Sequence, residues 1–169
     1  MKKLLILLLS AAIFLSACGR KDEVIAQTEG ISFVASVEFG EQVAECFIKA
    51  YGGGMFSCRV DSPEEVKGLT ADFDGDKVTL SYMGFSREFE TPLPAENLAE
   101  IVRSVVASAS GKTALREGEV YTVNGVAGGY PYVLTVAASG LPLSVSCERL
   151  DFHAEISSVT LLKKNTSPQ

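Results

Sequence analysis

Along most of this chain, hydrophobic and polar positions alternate. Ile31, Phe33, Ala35, Val37 and Phe39 fall on one side and Ser32, Ser36 and Glu38 on the other, the two-residue period of a half-buried strand. Ala44, Cys46, Ile48 and Ala50 repeat the pattern, and after Gly52-Gly53-Gly54 so do Phe56, Cys58 and Val60, which together predict a hairpin. Ser62-Pro63-Glu64-Glu65 joins a capping residue, a proline and first-turn acids, predicting one helical turn over 63–67. Asp74-Gly75 predicts a second hairpin turn into Val78, Leu80 and Tyr82, and Met83-Gly84 a turn into a strand over 85–90. Pro92 and Pro94 then break the sheet. Over 95–110 the period becomes helical: Leu98, Ile101, Val102, Val105, Val106 and Ala109 share one face, and Gly111 stands where a C-terminal cap belongs. Strand-like segments resume at 119–124, 130–138, 143–147 and 150–162, punctuated by Asn124-Gly125, Gly128-Gly129 and Ser139-Gly140-Leu141-Pro142. About nine short antiparallel strands around one central helix predict an α+β domain.

The N-terminus follows a different rule. Lys2 and Lys3 precede an apolar run from Leu4 to Leu15, broken only by Ser10. That run is about a dozen residues, whereas a membrane-crossing helix needs roughly 20, so it reads as an export signal and not as a span. It closes on Leu15-Ser16-Ala17-Cys18, which resembles the lipobox of bacterial lipoproteins. The resemblance implies cleavage before Cys18, acylation of that cysteine, and a membrane anchor outside the cytoplasm. In two-membrane envelopes aspartate after that cysteine marks inner-membrane retention, and Gly19 stands there instead. The expected organisation is a signal peptide over 1–17, a lipidated cysteine and tether over 18–29, a folded domain over 30–162 and a frayed tail over 163–169. Removing Lys2 and Lys3 from a chain of 15 basic and 21 acidic residues leaves a formal charge of −8, which argues against a nucleic-acid partner and against an anionic lipid surface.

The order of elements then suggests a family. The Ser62-Pro63-Glu64 turn, Gly68-Leu69-Thr70, the hairpin at Asp74-Gly75-Asp76-Lys77-Val78, the central helix and Gly140-Leu141-Pro142-Leu143 resemble the Lol-type lipoprotein-carrier superfamily across most of residues 30–162. The resemblance implies a curved, incomplete antiparallel β-barrel covered by the helix, with an apolar cavity for acyl chains. The helix face of Leu98, Ile101, Val102, Val105, Val106 and Ala109 would line that cavity. The implied function is binding of a lipid or other hydrophobic ligand, as carrier or sensor; the alternative is an envelope interaction or structural lipoprotein with a filled core.

Little else carries chemistry. Cys46 and Cys58 are each six residues from Gly52, so a hairpin centred there sets them opposite one another, within reach of a disulfide. Two buried free thiols or a redox pair are the alternatives, and Cys147 reads as a buried, inert thiol. Asp72, Asp74 and Asp76 lack the glycine and glutamate spacing of a calcium loop and read as a hairpin turn. Gly111-Lys112-Thr113 ends a helix where a phosphate loop would begin one. His153 is the sole histidine, on the polar side of its strand with Asp151 and Glu155, and is expected to face solvent. No GxSxG elbow accompanies it, so neither an enzyme nor a metal or other cofactor is expected.

Overall fold

The computed structural model describes residues 23–91 and 97–163. The signal segment, Cys18, the two prolines before the helix and most of the expected tail lie outside the described residues. Twelve strands follow in chain order: β1 (Glu23–Ile25), β2 (Ile31–Phe39), β3 (Gln42–Gly52), β4 (Met55–Ser62), β5 (Thr70–Asp74), β6 (Lys77–Tyr82), β7 (Phe85–Glu90), β8 (Thr113–Glu117), β9 (Val120–Ala127), β10 (Tyr130–Val136), β11 (Pro142–Cys147) and β12 (Phe152–Leu161). Among the described residues one α-helix, α1 (Leu98–Ala109), separates β7 from β8. All twelve strands join one antiparallel sheet in the order β1-β8-β9-β10-β11-β12-β2-β3-β4-β5-β6-β7, with β1 and β7 as its edges.

The architecture therefore corrects the expected nine-stranded incomplete barrel to an open sheet of twelve strands with one helix. Three strands escape the pattern for physical reasons. β1 is only three residues long; β8 buries only Ala114; and β5 alternates Ala71 and Phe73 with aspartates that read as turn residues. Each is held by its neighbours: β1 pairs with β8, β8 with β9, and β5 with both β4 and β6. Pairing can recruit a short or polar segment whose own sequence is a weak strand former.

Residues 23–29, expected in the tether, belong to the fold. Ala26 and Thr28 are each 1% exposed, and the Thr28 hydroxyl donates to the Val106 carbonyl at 2.6 Å. Ala26 N–H donates to Lys112 O at 2.9 Å and Gly111 N–H to Ala26 O at 3.0 Å, so this segment ties the C-terminal end of α1 to the sheet.

The β3–β4 hairpin also corrects a register. Gly53 and Gly54, both at positive φ, form the turn between paired Gly52 and Met55, and the ladder shifts between Ala50 and Gly52. Pairing moves by two residues from a hairpin centred on Gly52, so Cys46 faces Val60 and Cys58 faces Ile48. The two cysteines are diagonal neighbours, typically about 7–8 Å apart at Cα, and both are free thiols. The hydrogen bond to Cys46, reinforced by burial, pushes the Cys58 thiol far above its ordinary range. The Asp74 carboxylate accepts from the N–H groups of Asp76 and Lys77 at 3.3 and 2.9 Å, the geometry of a hairpin turn.

Candidate ligand groove

α1 lies across the inner face of the sheet. Its first turn is capped by Asn97, whose side-chain oxygen accepts from the N–H groups of Ala99 and Glu100 at 3.1 and 3.4 Å. Val102, Val105 and Val106 press onto Phe33, Leu134 and Phe152, and the room left among them is about 10 Å³, no more than one water occupies. Directly beneath the helix the core is filled.

Beside the helix it is not. A cavity of about 260 Å³ opens between Glu100, Ile101, Ser104 and Val105 of α1 and a wall of Ala127, Gly128, Tyr130, Tyr132, Cys147 and Leu150. Of the six helix residues expected to line a cavity, the structure brings Ile101 and Val105 to this groove. Val102 and Val106 face the packed core, Ala109 is completely buried, and Leu98 is half-buried away from the opening.

The polar end of the groove is Glu100, only 3% exposed. The Arg103 guanidinium holds both its carboxylate oxygens, and Ser104 Oγ donates to Oε1 at 2.8 Å. Arg103 in turn lies 5.3 Å from the centroid of the Phe73 ring. A carboxylate taken from water needs such partners, and here they come from the same helix, while the Arg103 contact with Phe73 reaches the sheet.

The floor is Tyr132. Its hydroxyl lies 3.0 Å from Ser108 Oγ and accepts from Lys112 Nζ at 3.4 Å, linking β10 to the last turn of α1 and the residue beyond it. Its ring covers Gly125, its cross-strand partner, where any Cβ would overlap the ring. Tyr130 forms the rim, with the Arg149 guanidinium 5.7 Å from its ring centroid. Burial raises the Cys147 thiol above its ordinary value, favouring its protonated form. The groove is thus an apolar trough with a neutralised ion pair at one end, suited to binding.

Glu100, Ser104, Tyr130, Tyr132 and Leu150 were not visible as a site in the sequence. Glu100, Arg103 and Ser104 carry an i, i+3, i+4 signature, but only the fold shows that this polar edge turns inward. His153 is half-buried, and the register sets it between Glu38 and Ser146 in one row on the outer face. Among the described residues there is no cluster of three or more His, Cys, Asp or Glu able to hold a metal, and no helix long and apolar enough to cross a membrane.

No family model matches the chain, and no characterised protein matches it. Among solved structures it is similar to the crystal structure of a LolA superfamily protein from Nitrosomonas europaea, at 10% identity and a TM-score of 0.47, over 85% of this chain and 91% of the other.

Proposed function

We propose that this chain is a non-enzymatic envelope lipoprotein, anchored outside the cytoplasm through acyl chains on Cys18, which binds a lipid or other hydrophobic ligand beside α1. The single observation behind the ligand is the 260 Å³ apolar groove between the helix and the β9–β10 end of the sheet. It sits just below the range of about 300–1,000 Å³ common for small-molecule sites, a size that favours one chain over a whole phospholipid. Support for the anchor is the signal segment ending in Leu15-Ser16-Ala17-Cys18. A second reading, an interaction or structural lipoprotein without ligand, draws on the filled core directly beneath the helix.

Native mass spectrometry on the protein purified gently from a bacterial envelope separates the two. A co-purifying lipid at fixed stoichiometry, or uptake of one added fatty acid per chain after delipidation, is the expected result. A clean unliganded mass with no uptake would overturn the ligand reading and leave the structural one.

A further inference from the structure

We propose that the outer face of β1, β8, β9 and β10 rests on the lipid surface that holds the Cys18 acyl chains, so that the groove, on the opposite face, opens away from the membrane. This rests on the lipidated reading of Cys18. Two independent observations carry it, the length of chain between anchor and fold and the distribution of charge over the sheet.

Only Gly19 to Asp22 separate Cys18 from the first residue of β1. At no more than about 3.6 Å per residue, the five Cα steps to Glu23 reach at most about 18 Å. No slack can be drawn from the domain side. Gln27 N–H donates to Gly140 O at 2.9 Å, the Thr28 hydroxyl is bonded to Val106 O, and Ala26 is fully buried. A close approach to Gly140, where a side chain would overlap Ile25 O, seats β1 further. The acyl anchor therefore holds the β1–β8 edge of the sheet at the membrane.

What that edge presents suits a lipid surface. Register and alternation place Glu23 and Ile25 on the same outward face as Thr113, Leu115 and Glu117. Every outward position of β9 and β10 is uncharged, and Ile25, Leu115, Val126 and Val133 stand 59%, 42%, 61% and 39% exposed. On the strands of this face charge is confined to Glu23 and Glu117, and Glu148 and Arg149 border its β10 side. The other half of the sheet differs: the outward positions of β3 to β6 carry Glu45, Lys49, Arg59, Asp72 and Lys77. Charged side chains are thus denser on the half remote from the anchor, and desolvating the near half against headgroups costs less.

The test uses the full-length, lipidated protein in phosphatidylcholine vesicles, with Leu115→Cys, Val126→Cys or Glu88→Cys labelled by an environment-sensitive fluorophore. The native thiols Cys46, Cys58 and Cys147 are at most 4% exposed and do not compete for label. The expected result is a blue-shifted, several-fold brighter emission at positions 115 and 126, quenched by lipid brominated along its acyl chains, and a water-like signal at 88. If vesicle-bound protein with an intact acyl mass gave water-like emission at all three positions, the orientation would be wrong although the anchor stood. Shielding that rose with protein density and ignored brominated lipid would assign the face to a second copy and overturn the proposal. A chain of unmodified mass that failed to float with vesicles would remove the anchor and the proposal together.

Discussion

Tyr132 and Gly125 show how one residue's absence of a side chain shapes the candidate site. Tyr132 is 2% exposed, and its ring occupies the space that a β-carbon at Gly125 would fill. Gly125 is not at a positive φ, so its backbone accepts alanine and only the ring objects. Gly125→Ala should therefore act through overpacking, lowering stability by about 1–3 kcal/mol or driving the ring into the groove. Urea unfolding checks the first effect and ligand uptake the second. Combining Gly125→Ala with Tyr132→Ala should recover part of the alanine penalty, since the two residues are in contact and their effects are coupled. Strictly additive losses would show that the close approach is not what makes glycine necessary. Neither residue stood out in the sequence: Asn124-Gly125 read as turn punctuation, yet it lies inside β9, where the glycine makes room for an aromatic partner on the next strand. The cysteine pair failed in the same way, because a triple glycine leaves the centre of its turn open by a residue and the ladder shift decides which residues meet.

At the scale of elements, the segments with strong periodicity were legible and those held by their neighbours were not. α1 and the strands β2, β3 and β10 each repeat their buried positions three times or more. β1 carries two apolar residues in three positions and β8 one buried residue in five, so nothing in either distinguishes a strand from a tether or a loop. The consequence is that residues 23–29 are structural and do not act as a tether. A chain starting at residue 30 would lose the β1–β8 ladder, the buried Ala26 and Thr28, and the Thr28–Val106 and Ser110–Glu29 bonds that hold the end of α1. Compared with residues 19–169, it should unfold at least about 3 kcal/mol more readily, since full burial of a few side chains and several hydrogen bonds are removed together. Equal urea midpoints for the two chains would place residues 23–29 outside the cooperative unit.

The whole molecule divides its inner face into two kinds of space, and function turns on the difference. The core under Val102, Val105 and Val106 leaves no room, so a ligand cannot enter there unless α1 lifts; the groove past Ile101 is open without any motion. A ligand in the open groove makes a prediction that a ligand under the helix does not. Ala127 is half-buried at the end of β9, packs at the edge of the core and lines the groove without lining the tight space under the helix. Ala127→Trp should fill the groove with indole, leave the unfolding free energy from urea titration within about 1 kcal/mol of the parent because the β-carbon at the core edge is retained, and weaken fatty-acid uptake at least about tenfold, equivalent to roughly 1.4 kcal/mol. If uptake persisted undiminished, the ligand would have to lie beneath a displaced α1, and hydrogen exchange of the helix amides would slow on binding as that helix was clamped. Either outcome decides whether the groove beside the Glu100–Arg103 pair is a permanent site or opens only when α1 moves.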